Sequence, residues 1–108
     1  MTINEYQKEA LRTVNQHAGL IENAALGLCG ESGEVADMVK KAFFQGHELD
    51  RIRLAKELGD VAWYLAVGAF AIGYELETVL QMNVDKLRKR YPDGFNPARS
   101  RNREEDDV

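Results

Sequence analysis

Apolar residues recur at three- and four-residue spacing through most of this chain, and no stretch keeps the polar/apolar alternation of a half-buried strand. The pattern predicts four helices. The first covers about 4–17, where Tyr6, Ala10, Leu11 and Val14 share one face and Thr2 with Glu5 has the spacing of a capping box. The second covers 21–44 and closes at Gln45-Gly46, with Gly46 as its cap. The third runs from Asp50 to Ile72 and stops at Gly73; the fourth runs from Leu76 to Tyr91 and ends before Pro92. Only Pro92 and Pro97 occur, so 91 residues pass without a proline. The expected fold is all-α, a four-helix bundle in one domain over 1–95. Beyond it, residues 96–108 carry Arg99, Arg101 and Arg103 and then Glu104-Glu105-Asp106-Asp107, the composition of a solvated, mobile tail.

The third helix is apolar on all sides from Val61 to Ile72, and such a helix has to be covered all round. Three neighbours in a 108-residue chain do not supply that cover, so a two-fold dimer is expected. Composition narrows the setting. Eighteen acidic residues against 14 basic ones give a net charge of −4, which argues against a nucleic acid polymer as partner. The longest uncharged run, 61–74, has 14 residues against the roughly 20 that a membrane span needs. The opening MTINEYQKEALR has no apolar leader, and the single cysteine, Cys29, allows no internal disulfide. A cytoplasmic protein is the expectation.

Four carboxylates stand apart from the rest. Glu31 and Glu34 are three apart on the second helix, Glu57 and Asp60 three apart on the third, and each pair projects from one face among apolar residues. A single pair of this kind is ordinary solvated surface. Two pairs on adjacent antiparallel helices would repel across the seam, and a divalent cation removes that repulsion. Oxygen ligands alone favour Mg²⁺, with Mn²⁺ the alternative. Two stripes extend the pattern: Arg53, Glu57, Asp60 and Tyr64 on the third helix, and Asn83, Lys86 and Arg90 on the fourth. Cations and an amide beside such a centre suit a polyphosphate. A solvated basic face near a helix C-terminus would look the same from Lys86 and Arg90 alone.

Gly27, Gly30 and Gly33 interrupt the second helix, each costing about 1 kcal/mol against Ala, so close packing or space for a ligand is expected there. Cys29 lies in an apolar stretch and reads as a buried core thiol. His17 and His47 have no ligand spacing, no Glu-x-x-His occurs, and no GxxxxGK[ST] is present. Trp63 has the alternatives of core packing or stacking on a base.

GLCGESGEVADMVKK (27–41), KELGDVAWYL (56–65) and NVDKLRKRYPDGF (83–95) together resemble the MazG-like nucleotide pyrophosphohydrolases of the all-α nucleoside triphosphate pyrophosphohydrolase superfamily. The resemblance implies a four-helix MazG-like bundle assembled as a homodimer or homotetramer, a dimer of dimers. It implies Mg²⁺-dependent hydrolysis of a nucleoside triphosphate, often deoxy or non-standard, to the monophosphate and pyrophosphate, in nucleotide-pool housecleaning. The family's metal ligands match Glu31, Glu34, Glu57 and Asp60, and its phosphate-contacting positions resemble Arg53, Tyr64, Asn83, Lys86 and Arg90. Glu31 or Glu34 is the candidate catalytic base. The family motif reads EExxE, whereas Gly30 precedes Glu31 here, so one carboxylate is missing. Alternatives are a phosphoribosyl-ATP pyrophosphohydrolase, with the same metal logic, and a non-catalytic helical interaction module that keeps the metal site. Gln16, His17 and Trp63 are the candidates for base selection.

Overall fold

Capping and turn chemistry set the element boundaries. In α1 (Ile3–Leu11), the Thr2 hydroxyl accepts from the Glu5 N–H at 3.1 Å and the Glu5 carboxylate accepts from the Thr2 N–H at 3.3 Å, the expected capping box. The helix ends six residues earlier than the periodicity suggests. Beyond Leu11, the Thr13 hydroxyl donates to the Ala10 carbonyl at 2.8 Å, and the Asn15 carboxamide accepts from the His17 N–H at 3.0 Å. Such side-chain bonds compete with the helix ladder. The computed structural model describes residues 1–17 and 19–108, and among these the elements are α1, α2 (Leu20–Phe44), α3 (Arg51–Ala71), α4 (Leu76–Arg90) and α5 (Pro97–Arg101), with no strand. The all-α expectation holds. No helix in the described residues is long and apolar enough to cross a membrane.

Two compact units divide the chain, Met1–Leu76 and Glu77–Val108. In the first, α3 packs against both α2 and α1. The α2–α3 turn uses Gly46 at φ 72°, a left-handed position that suits glycine, as expected of the cap. Asp50 then caps α3, its carboxylate accepting from the Arg53 N–H at 3.1 Å. Gly73, at φ 86°, stops α3 as expected. The core is small: Ala10, Ala66 and Leu76 form one buried cluster with Tyr6 and Trp63 packed on it, and Val67 is fully enclosed.

One buried polar side chain ties this unit together. Gln7 is 6% exposed; its Nε2 donates to the carbonyls of Ala66 and Tyr74 at 3.1 and 3.2 Å, and its Oε1 accepts from the Leu76 N–H at 3.0 Å. The amide thus links α1 to the end of α3 and to the first residue of α4. Gln7→Leu keeps the volume but orphans the Leu76 N–H, and is expected to cost about 2 kcal/mol, read as a lower urea midpoint. An unchanged midpoint would show that water replaces the amide.

Much apolar surface stays uncovered within a single chain. Leu58 and Leu65 on α3 and Ile72 at its C-cap recur every seven residues and are 53%, 43% and 60% exposed. On this helix Ala66, Val67 and Ala69 are buried, residues 61–64 are half-buried, and part of the apolar girdle is left open within the chain. In the second unit, α4 is followed by a turn at Tyr91–Gly94 and then by α5. The stretch expected as a solvated tail carries α5, with Asn96 as its cap, and returns to bond α4.

Candidate metal centre

The site follows from how α2 lies on α3. Gly68 approaches Ala24, Gly27 meets the Tyr64 ring, and Glu31 reaches Glu57 and Asp60. Positions on α3 fall as positions on α2 rise, so the helices run antiparallel, as the short connection requires. A Cβ at Gly27 would overlap Cε1 and Cζ of Tyr64, so here glycine makes room for the ring. Gly30 and Gly33 have nothing within 4 Å of a built Cβ, so close packing explains only the first of the three.

Glu31, Glu57 and Asp60 each offer a carboxylate oxygen, and the three oxygens lie within 4.8 Å of one another. Glu31 and Glu57 are half-buried and Asp60 is exposed. Glu31 holds its proton above the ordinary carboxyl range. Partial loss of hydration is the largest cause, followed by its hydrogen bond to Glu57 and the charges of Asp60, Glu57 and Glu34. Tyr6 is likewise pushed up, by burial first and then by Asp60. A cation placed among the three carboxylates removes the repulsion that favours the proton, so the donor set fits a hard divalent ion.

Glu34, the fourth carboxylate singled out in the sequence, is not part of this group. It lines a neighbouring depression with Lys41, His47 and Arg53. Arg53 therefore stands on the Glu34 side of the centre. His47 was set aside in the sequence for want of ligand spacing, and Lys41 was not singled out there, although it falls seven residues after Glu34 and so on the same face of α2. Lys41 is already engaged, its Nζ 2.8 Å from Asp37.

On the other side of the carboxylates lies an open depression of about 320 Å³ lined by Glu31, Asp60, Trp63 and Tyr64. The core-packing alternative for Trp63 holds. It packs on the core cluster, and it also borders this depression, with its Nε1 donating to the Thr13 hydroxyl at 2.8 Å and its ring edge-on to Tyr64 at 4.9 Å. Gln16 and His17 are exposed beyond α1. Cys29 departs from expectation: it is exposed, because Gly27 turns toward α3 and a residue two further on points about 200° away.

The remaining candidates belong to the second unit. Asn83 is exposed and Lys86 half-buried on α4. Arg90, the last residue of α4, is engaged by Asp107, with Nε–Oδ2 and Nη2–Oδ1 distances of 2.8 and 2.6 Å.

Carboxylates from two antiparallel helices that meet at one point define an all-α protein with a candidate divalent-metal centre. Residues 21–95 match the MazG nucleotide pyrophosphohydrolase domain, and the chain belongs to that family. It is also similar to the "Gene 37 protein" of Mycobacterium phage L5, with 39% identity over 82 residues, covering 72% of each chain. No solved structure matches it.

Proposed function

We propose that this chain is a Mg²⁺-dependent nucleoside triphosphate pyrophosphohydrolase, converting a (deoxy)nucleoside triphosphate and water to the monophosphate and pyrophosphate in nucleotide-pool housecleaning. The observation that carries this reading is the convergence of Glu31, Glu57 and Asp60 in a chain of the MazG family. These three carboxylates would hold the ion, Mg²⁺ in the first place and Mn²⁺ in the second. When bound, the ion neutralises phosphate charge and polarises the phosphate oxygens.

The residues supply the rest. Glu34, outside the three-carboxylate group, takes the proton from the water that attacks the α-phosphorus, and the α–β bridging oxygen leaves with pyrophosphate. Arg53, on the Glu34 side, contacts phosphate oxygens and offsets their charge. Tyr64 borders the depression on the opposite side, where Trp63 presents a ring to a base. Asn83, Lys86 and Arg90 enter as phosphate-contacting residues on the resemblance alone. The apolar stripe Leu58–Leu65–Ile72 supports assembly as a homodimer or a dimer of dimers.

The test is pyrophosphate release from a panel of canonical and modified ribo- and deoxynucleoside triphosphates, with Mg²⁺ and with EDTA. Release that requires the metal and leaves the monophosphate is the expected result, and the panel ranks the bases. Silence across the panel from folded protein overturns the reading in favour of a non-catalytic module. Turnover of phosphoribosyl-ATP alone reassigns the substrate.

A further inference from the structure

The acidic run near the end of this sequence is placed by the turn that precedes it. Pro92 prevents α4 from continuing, and Gly94, at φ 92°, lets its N–H reach the Tyr91 carbonyl at 3.2 Å. Phe95 packs on Tyr91 with ring centroids 5.4 Å apart, and Asn96 caps α5 through the N–H groups of Ala98 and Arg99. The chain is thereby turned back, and residues 104–107 reach the last turn of α4. Asp107 meets Arg90 through two parallel N–H···O bonds, and both side chains are only 11% exposed. The Lys89 Nζ lies 3.4 Å from Glu104 and 3.8 Å from Asp106.

This is the fork geometry in which a guanidinium holds phosphate as readily as carboxylate. Lys89, Arg90, Arg99 and Arg103 line one small cavity, against the carboxylates of Glu104 and Asp107. Within the cavity itself, cations outnumber carboxylates, while Asp106 lies outside its lining, on Lys89. With Asp107 in place, about 40 Å³ remains there, room for a water or two beside the guanidinium. Asp107 is held below the ordinary carboxylate range, first by its hydrogen bonds to Arg90 and further by the charges of Arg90, Arg103 and Lys86.

We propose that Asp107 is a built-in stand-in for phosphate: segment 104–107 occupies a polyphosphate-binding group made of Lys89, Arg90 and Arg103, and a phosphate-bearing ligand must displace it to bind. The proposal rests on the reading of Arg90 as a phosphate-contacting residue. Arg90 is then unavailable for as long as Asp107 sits on it. The apparent affinity for a polyphosphate falls by the fraction of molecules in which the segment is released. A ligand with several adjacent phosphates reaches Lys89, Arg90 and Arg103 together from one compact group, whereas the segment pairs Arg90 with Asp107 and Lys89 with Glu104, which is why the ligand displaces it.

The decisive experiment measures binding of inorganic tripolyphosphate to the full chain by calorimetry in EDTA, for the wild type, Asp107→Asn and Asp107→Glu. Asp107→Asn keeps the size of the side chain and removes its charge, and is expected to bind tripolyphosphate about tenfold more tightly, as for a segment that occupies the group nine-tenths of the time. Asp107→Glu should stay within about twofold of the wild type. Unchanged or weaker binding by Asp107→Asn, with a lowered unfolding midpoint, overturns the proposal and makes the Arg90–Asp107 pair a fixed structural clamp. The binding measurement does not depend on turnover. Tighter binding by Asp107→Asn together with a silent substrate panel would sink the proposed activity and leave the displaceable segment standing.

Discussion

Asp60→Asn should reduce metal-dependent pyrophosphate release by about a thousandfold or more while leaving the helical circular dichroism intact. The substitution keeps the shape of the side chain and removes one of three carboxylates whose oxygens lie within 4.8 Å of one another. Asp60 is exposed, so no core packing is lost. Without metal, the variant should be at least as stable as the wild type, because one of the charges acting on Glu31 has gone. With Mg²⁺ the order reverses. The wild type should gain several degrees in melting temperature on adding saturating Mg²⁺, since binding to the folded state alone stabilises it, and Asp60→Asn should gain little. A folded variant with full turnover would remove Asp60 from the site. A Mg²⁺ response that survives in Asp60→Asn and in Glu57→Gln would place the metal elsewhere.

The second large effect is expected at Gly27. A Cβ there would overlap the Tyr64 ring, so Gly27→Ala has to push the tyrosine or separate α2 from α3. Overpacking of this kind costs typically about 1–3 kcal/mol, more than the roughly 1 kcal/mol that alanine returns in helix propensity. Tyr64 packs edge-on to Trp63 and borders the same depression as Glu31 and Asp60, so the displacement reaches the site. Lower stability and lower kcat are expected together. Gly30→Ala is the control: nothing lies within 4 Å of its built Cβ, so the variant should be as stable as the wild type or more so. Equal melting curves for Gly27→Ala and the wild type would show that the ring moves aside freely.

These two substitutions also mark how far the sequence can be read. Three glycines at equal spacing look equivalent, yet only Gly27 faces a ring, because the rotation of α2 against α3 is a property of the packed pair. The acidic pairs were legible because i,i+3 spacing on two helices joined by a short turn is local information. That Glu31, Glu57 and Asp60 meet while Glu34 lines the depression with Arg53 depends on the register between the helices. The early end of α1 was missed for a different reason. Tyr6, Ala10, Leu11 and Val14 keep helical spacing, but Thr13 and Asn15 spend their hydrogen bonds on turns, and the Thr13 hydroxyl also takes the indole N–H of Trp63 from α3.

What the residues determine by themselves is the all-helical class, the caps at Thr2 and Gly46, the stop at Gly73, and the family, because each depends on neighbours along the chain or on a linear pattern. What the tertiary structure decides is which groups face each other: Gln7 on the Leu76 N–H, Tyr64 over Gly27, three carboxylates on one point, Asp107 on Arg90. Between elements, those pairings bring together residues 17 to 69 positions apart. Periodicity within one helix reports which face is buried, and only the packed register reports what that face meets.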